Sequence, residues 1–432
     1  MRNTLLLITL ALFCSCNNTQ QVPHTQVTEQ RNNYQPTQKS EFDVAKTIIV
    51  HEPAGEILPG MLHPRAALFD IYFNISESQQ EHQNYVRELR NTGAEFIGVK
   101  EALESGCIDQ NGNEIDGAAL DSLRAFAYNI LTYDTSNLAP ELQQEQEEYK
   151  KEIITELSVA ELIDIMIMQP TIILHPTAHN TGITATYQYN PLMNLFYTRD
   201  QMITTAKGIV ISKMNSPQRQ NECEIMKFAL QKLGIDPLYQ VEGEGAFLEG
   251  GDLLSYPNIS FIGCGMRTTR TAIDQLLERD LFGTERVAIV YDRRFSQAEM
   301  HLDTYFNIID SDLATISEAR LLAPEHSNLY LEMDIFTRED GKYRLTESRK
   351  FIEFLQQDLG MTLIPIPSSD QERLAGNFLT VAPRKIMAVA NQSEEFEKRL
   401  QENGVSVTWI PLENLIKGYG AAHCMTQVIE RK

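Results

Sequence analysis

The chain has 432 residues, 42% of them hydrophobic, and a formal net charge of -22. A chain of this length and composition can bury a large core, which excludes disorder over most of it. Lys and Arg form no run anywhere in the sequence, whereas nucleic acids and anionic membrane surfaces both attract clustered positive charge. Neither is therefore expected as a partner, and a cationic small molecule is compatible with the acidic chain.

The first fifteen residues have the pattern of an export signal. Arg2 precedes an apolar stretch from Leu5 to Phe13, which is too short for a bilayer, since a spanning helix needs about 20 apolar residues. Small Ser15 directly before Cys16 is similar to the processing site of bacterial lipoproteins. We expect residues 1–15 to be a signal peptide and Cys16 to be lipidated, giving an exported, membrane-anchored protein; an ordinary cleaved signal is the alternative.

Residues 16–42 are rich in Gln, Asn and Thr and poor in apolar side chains. Because they have little apolar surface to offset chain entropy, they are expected to form a flexible tether ahead of a catalytic domain at residues 43–432. Four cysteines fall in that domain without a CxxC or Cys/His metal spacing, so no metal site is predicted, and disulfide pairs cannot be assigned. They are Cys107, Cys223, Cys264 and Cys424.

A helix, a glycine and a short apolar run recur five times after about residue 46. The glycine suits the left-handed end of a helix, and the apolar run is typical of a strand. This recurrence predicts an α/β fold, although unrelated helix ends in a large α/β protein would also produce it. The five glycines are Gly93, Gly234, Gly283, Gly360 and Gly404.

A long gap separates the first two of these junctions. Apolar residues recur at helical spacing in Leu120 to Tyr133, Glu141 to Leu157 and Val159 to Met168, which indicates amphipathic helices. We therefore predict a helical insertion at about residues 101–169, within the first repeat.

Three motifs combine residues able to bind a cation or move a proton. Asp200 follows an aromatic patch and can accept two hydrogen bonds from a planar guanidinium. Glu249 precedes a Gly-Gly pair and Asp252, and the pair allows a tight bend. His301 and Asp303 are two residues apart, so on a strand both would face the same side, with His301 as acid and base. Taken singly, each motif is more often a surface ion pair or a turn.

A fourth motif ends the chain. Cys424 and His423 follow a run of small residues from Gly418 to Ala422, where the backbone can approach a ligand closely. Cysteine is strongly nucleophilic once its thiolate is stabilised. A buried structural thiol is the alternative for this residue alone.

Together, and in this order, the motifs resemble the arginine deiminases of the guanidino-group modifying superfamily, over nearly all of the chain after about Lys46. The insertion also resembles the one that sets these enzymes apart from smaller relatives. The resemblance implies a five-fold pseudo-symmetric α/β propeller, no metal or organic cofactor, and hydrolysis of L-arginine to L-citrulline and ammonia through a covalent thiouronium on cysteine.

Carried over by position, the resemblance makes Cys424 the nucleophile and His301 the general acid and base, oriented by Glu249. Asp200 and Asp303 would hold the guanidinium. The residues expected to bind the α-carboxylate, with the acidic residue that accompanies them, are Asn194, Arg219, Arg267 and Glu222.

One position departs from the family pattern: Tyr419 stands where arginine deiminases usually carry an Arg in a loop that gates the site, and Lys417 lies two residues earlier. The segment from His423 to Gln427 is also similar to agmatine deiminases, whose substrate lacks a carboxylate, so agmatine or another guanidino compound is the alternative substrate. Two further alternatives are a lipoprotein that binds arginine without turnover and an amidino transferase. The oligomeric state is not predicted.

Overall fold

The structure is a computed structural model that describes residues 34–179 and 181–432. The expected signal peptide, Cys16 and the first half of the expected tether lie outside these residues. The described chain is a mixed α/β fold of short strands and helices. The strands are β1 Ala45–Val50, β2 Glu95–Gly98, β3 Thr132–Asp134, β4 Pro170–Pro176, β5 Ile183–Tyr189, β6 Met202–Thr204, β7 Ile209–Ile211, β8 Tyr239–Gln240, β9 Leu253–Tyr256, β10 Ile259–Cys264, β11 Arg286–Tyr291, β12 Phe306–Asp310, β13 Leu313–Ser317, β14 Glu332–Glu339, β15 Lys342–Lys350, β16 Thr362–Ile366, β17 Leu379–Ala382, β18 Lys385–Val389, β19 Ser406–Ile410 and β20 Gln427–Arg431.

The α-helices vary from single turns to seventeen residues. They are α1 Leu58–Leu62, α2 Ile75–Arg90, α3 Val99–Glu104, α4 Ala118–Ile130, α5 Pro140–Glu156, α6 Val159–Met168, α7 Gln220–Lys232, α8 Arg270–Glu278, α9 Glu318–Leu321, α10 Phe351–Glu353, α11 Ser368–Gln371 and α12 Glu394–Glu402. Within the described ranges, no helix combines the length and the apolar character needed to cross a bilayer.

Five sheets share one pairing pattern. In each, a first strand pairs antiparallel with a second, and the second pairs parallel with a third. The hairpin of β14 and β15 widens one of them to five strands. The shared triplets are β20-β1-β2, β6-β7-β8, β9-β10-β11, β12-β13-β16 and β17-β18-β19.

The five predicted glycine junctions are confirmed. Each glycine has a positive φ, from 66° at Gly360 to 86° at Gly93. A side chain is disfavoured in this left-handed region, which is why glycine ends the helix or helical turn there. Each junction leads into the third, parallel strand of one of the five sheets.

The insertion contains the three expected helices, which are α4, α5 and α6. A sheet that the sequence analysis did not predict joins the insertion to the chain that follows it, because β3 of the insertion pairs with β4, and β4 pairs with β5. The first of these strands has only three residues, too few for a periodic signal. Leu123 and Ile163 of the insertion pack in one core cluster with Ile225 of α7, which fixes the insertion to the domain.

The end of the expected tether is packed against the domain. The amide of Thr37 donates to the carbonyl of Ile429 at 3.0 Å, and the amide of Glu41 donates to that of Ser255 at 2.8 Å. Phe42 is 9% exposed and lies edge-on to Tyr256. The expected flexible tether therefore does not extend to residue 42, because the end of this stretch is ordered by backbone pairing and by the burial of Phe42.

Candidate active site

The cleft of interest is lined by seven residues that the sequence analysis singled out and by Tyr197, Gln297 and Met300. Glu249 and Asp303 lie behind this lining. The seven predicted residues are Asn194, Asp200, Arg219, Arg267, His301, Tyr419 and Cys424.

Cys424 lies in the loop that leads into β20 and is 3% exposed. Burial raises the pKa of its thiol well above the usual value, and the charges of Asp303 and Asp200 raise it further. The preceding small residues are required by packing, since a Cβ on Gly420 would lie 2.5 Å from the ring of Tyr197 and 3.0 Å from the Cβ of Cys424. The thiol is therefore held tightly, and its raised pKa keeps it protonated at neutral pH.

Asn377, which the sequence analysis missed, fixes this loop. Its Oδ1 accepts hydrogen bonds from the amides of Ala421 at 2.9 Å and Cys424 at 3.2 Å. Its Nδ2 donates to the carbonyl of Asp303 at 3.4 Å. One amide side chain thus joins the cysteine loop to the segment that carries Asp303.

His301 and Glu249 form a buried pair, with His301 Nε2 at 2.9 Å from Glu249 Oε2. Burial opposes the charged imidazole, but Asp200 and Glu249 outweigh it and raise the pKa of His301 to about 9. Likewise, burial opposes ionisation of Glu249, but the hydrogen bond to His301 and the charge of Arg267 lower its pKa to about 2. His301 Nδ1 lies 3.8 Å from Asp200 Oδ1 and has no hydrogen-bond partner among the described residues.

The backbone around this pair differs from the expectation. Leu302–Thr304 is a 3-10 turn, so His301 and Asp303 do not lie together on a strand. Asp252 supports the turn by accepting the amide of Leu302 at 2.9 Å. A Cβ on Gly251 would lie 2.6 Å from His301 Nδ1, so this glycine is needed for close approach to the imidazole.

Asp200 and Arg219 are paired directly. Arg219 Nη1 donates to Asp200 Oδ2 at 2.9 Å, and Nη2 donates to Glu222 Oε2 at 2.9 Å. All three side chains are buried. The structure therefore joins two residues that the resemblance assigns to opposite ends of a substrate.

Arg267 is less fully paired than Arg219. Its Nη2 donates to Gln297 Oε1 at 2.8 Å, and its Nη1 lies 3.6 Å from Glu249 Oε1. Its Nε is buried and has no partner in the described part of the chain. Asn194 lines the cleft, while its Nδ2 donates to the carbonyl of Ala67 at 3.0 Å.

Tyr419 occupies a left-handed conformation with φ of 65° at the cleft. Its hydroxyl donates to Asp70 Oδ1 at 3.0 Å, and the amide of Asp70 donates to the carbonyl of Lys417 at 2.8 Å. Two hydrogen bonds therefore join the loop that carries Tyr419 to the segment at Asp70, which is distant in the sequence.

Among the described residues, Asp200, Glu249 and His301 form the group whose side-chain oxygen and nitrogen atoms lie within 4.8 Å of one another. These distances would allow the three side chains to share a metal ion. Since the pKa of His301 is about 9, its ring carries a proton near neutral pH and offers no lone pair to a metal. The arrangement therefore suits proton transfer better than metal binding. The four cysteines of the described residues are all free thiols.

The Glu249→Gln variant tests the pairing of His301. Removing the carboxylate charge is expected to lower the pKa of His301 from about 9 by about one unit or more. The raised pKa of His301 contributes to the free energy of unfolding below about pH 6.5, and this contribution is lost as pH rises through about 9. In the variant, the contribution would be lost at a lower pH.

The measurement is an NMR pH titration of the His301 imidazole. Glu56→Gln is the matched control, because Glu56 also forms a buried pair with a histidine, with Oε1 3.1 Å from His51 Nε2, and neither residue lines the cleft. An unchanged His301 titration in Glu249→Gln would contradict the assignment.

Known proteins resemble the chain in both sequence and fold. A family model described as arginine deiminase matches residues 66–431. An arginine deiminase of Staphylococcus haemolyticus is 26% identical, covering 91% of this chain and 97% of its own. An arginine deiminase of Halobacterium salinarum is 24% identical, covering 91% and 96%.

A solved structure of SxtG, an amidinotransferase from Microseira wollei, has a TM-score of 0.55 at 12% identity, covering 92% of this chain and 97% of its own. This likeness shows a shared fold. Because the family model spans most of the folded chain, the protein belongs to the arginine deiminase family.

Proposed function

We propose that the protein hydrolyses L-arginine to L-citrulline and ammonia, with Cys424 as the nucleophile. The observation that carries this proposal is a buried thiol in one cleft with a protonated imidazole, the carboxylate of Asp200 and a partly unpaired arginine. Such a set can bind a planar cation, attack its carbon and protonate a leaving nitrogen.

Binding would exchange one guanidinium for another. The substrate guanidinium replaces that of Arg219 on Asp200, and the α-carboxylate then compensates Arg219 together with Arg267. Asp303 Oδ1, which is buried and has no partner among the described residues, is available for the second guanidinium edge. Bidentate contacts between carboxylate and guanidinium fix the plane of the cation as well as its position.

The bound cation also activates the thiol. The charges of Asp303 and Asp200 contribute to the raised pKa of Cys424, and a guanidinium between them offsets both. The thiolate therefore becomes accessible when the substrate is in place, and its sulfur faces the guanidinium carbon.

The reaction then follows in two halves. As the substrate binds, the thiol loses its proton to solvent, and the thiolate sulfur bonds to the guanidinium carbon. His301 Nδ1 then gives its proton to a terminal nitrogen, that C–N bond breaks, and ammonia leaves a thiouronium on Cys424. His301, now neutral, removes a proton from water, and the resulting hydroxide adds to the same carbon. The C–S bond then breaks, the hydroxyl proton passes to the leaving sulfur, and citrulline is released. Glu249 keeps the imidazole oriented throughout.

Replacing the nucleophile tests this mechanism. Cys424→Ala is expected to lower citrulline formation from arginine by about 10³-fold or more, because no side chain remains to form the covalent intermediate. The measurement is citrulline and ammonia release, together with mass spectrometry of acid-quenched wild-type protein to detect the adduct.

Cys264→Ala is the matched control, since Cys264 is a free cysteine that does not line the cleft. It should retain turnover. Unchanged turnover in Cys424→Ala would overturn the mechanism, and turnover of agmatine but not arginine would overturn the substrate.

The cations of the cleft favour arginine over agmatine. Agmatine lacks the α-carboxylate that would compensate Arg267 and a displaced Arg219. Arg267→Ala is expected to raise the KM for arginine roughly 10- to 100-fold, which corresponds to the loss of one charge-assisted hydrogen bond. The preference for arginine over agmatine should fall as a result.

Steady-state kinetics with both substrates measure this effect. Arg270→Ala is the control, because Arg270 is half-exposed and pairs with Asp274 at 2.7 Å. Equal KM increases for arginine and agmatine in Arg267→Ala would show that Arg267 does not bind the carboxylate.

We also propose that the five sheets of shared pairing are the blades of a five-fold pseudo-symmetric α/β propeller. Support comes from the identical strand order and from the glycine before each third strand. A crystal structure in which the five triplets do not superpose by successive fifths of a turn would refute this arrangement.

Export and lipid anchoring at Cys16 remain a proposal that rests on the N-terminal sequence pattern. A mature protein found in the membrane fraction, with Cys16→Ala releasing it to a soluble exported fraction, is the expected outcome. A mature protein confined to the cytosol would contradict export. Outside the cell, the activity would deplete arginine and release ammonia.

A further inference from the structure

A second histidine, His423, lies directly beside the nucleophile and is not used in the mechanism above. Its side chain is 1% exposed and does not line the cleft. Its Nδ1 lies 2.6 Å from Asp303 Oδ2, and its Nε2 lies 3.7 Å from Glu41 Oε2. Each ring nitrogen thus faces a different carboxylate.

The contact with Asp303 has a consequence for Cys424. The same Oδ2 atom that His423 binds is also 3.7 Å from Cys424 Sγ. The other oxygen, Oδ1, is buried and has no partner within the described residues. His423 therefore determines which Asp303 oxygen is next to the sulfur and which is left for a ligand.

Glu41 is itself held firmly on the far side of His423. Arg431 Nη2 donates to Glu41 Oε2 at 3.3 Å, and Gln38 donates to Oε1. Burial opposes ionisation of Glu41, but the contact of its carboxylate with His423 at 3.7 Å and the charge of Arg431 lower its pKa to about 2. Glu41 is thus a fixed negative charge, carried by the N-terminal stretch that the sequence predicted to be a tether.

We propose that His423 and Glu41 are positioning residues for the reaction: Glu41 fixes the ring of His423, and His423 fixes the carboxylate of Asp303 beside Cys424. This inference rests on the proposed roles of Cys424 and Asp303. It makes the ordered N-terminal stretch part of the site, although Glu41 contacts neither the cleft nor any reacting atom.

A positioning residue affects the rate because the attack of sulfur on carbon tolerates little displacement of the reacting groups. A misplacement of about 1 Å in a reacting group can cost roughly 100-fold in rate. If His423 is lost, the Asp303 carboxylate can rotate and present either oxygen to the sulfur. Binding depends on Asp200 and the cleft arginines as well, so kcat should fall more than KM changes.

Four variants test the proposal by kcat and KM for arginine. His423→Ala is expected to lower kcat about 100-fold, and Glu41→Gln about 10-fold, each with KM changed less than about threefold. His423→Asn keeps a donor near the position of Nδ1 but cannot reach Glu41, so it should retain more activity than His423→Ala. The double variant Glu41→Gln/His423→Asn should be no slower than His423→Asn alone, because the link is already cut.

Glu430→Gln is the matched control. Glu430 is also a buried glutamate at the N-terminal contact, where its Oε1 accepts from Lys46 Nζ at 2.5 Å, and this variant should keep wild-type kcat. The folded fraction of each variant, measured by circular dichroism and thermal unfolding, corrects every kcat for unfolded protein.

The outcomes separate the two levels of inference. Turnover in Cys424→Ala would mean that the proposed function fails. If Cys424→Ala is inactive but Glu41→Gln and His423→Ala keep a kcat within twofold of wild type, only the positioning role is overturned. A kcat loss in the double variant equal to the product of the two single losses would also overturn it. Such a result would mean that Glu41 and His423 act independently and not through one another.

Discussion

The negative charge held around a buried thiol is the constraint on which the rest of the site depends. Asp200, Glu249 and Asp303 are all buried near Cys424. A buried carboxylate is tolerated only when cations or hydrogen-bond donors compensate it. Arg219 and the protonated His301 supply that compensation here, together with Arg267 and His423, so no member of the network can be removed without leaving a buried charge unpaired.

The fold brings these groups together because each of the five sheets places a site residue at the same position, just before its first strand. Five site residues stand at most four residues ahead of the first strand of one of the five sheets, and each of these turns opens toward the same cleft or its rear wall. Sequence separation is therefore irrelevant to their proximity, because the sheets and not the local chain set the distances. The five are Asp200 before β6, Glu249 before β9, Asp303 before β12, Asn377 before β17 and Cys424 before β20.

Features governed by local sterics could be predicted from the sequence. A left-handed helix end needs glycine, so the junctions at Gly93 and Gly404 and the strands that follow them were found. The cleft residues were found because their motifs resemble a known family, and the structure brings Cys424 and His301 to one cleft. The turn at Leu302–Thr304 could not be predicted because three residues are too few to show the period that distinguishes a 3-10 turn from a strand.

What could not be predicted depends on partners far away in sequence. Asn377 has no distinguishing feature in the sequence, and its role depends on its Oδ1 accepting amides of the cysteine loop and its Nδ2 donating to Asp303. Its place before β17 nevertheless matches that of Asp200 before β6. Glu41 sits in a stretch whose composition indicates disorder, yet it is ordered by Arg431, 390 residues later. Composition measures the apolar surface that a segment can bury, and it does not register charge pairing of this kind.

The pairing of Arg219 with Asp200 explains how such a site can select one ligand. The resting cleft is already compensated, so a ligand gains little by adding a cation alone. A guanidinium without a carboxylate would displace Arg219 from Asp200 and leave it with only Glu222 as a charged partner. A ligand with both groups compensates both residues that it separates. Selectivity therefore arises from the exchange of buried ion pairs, and its strength depends on how completely each displaced charge finds a new partner.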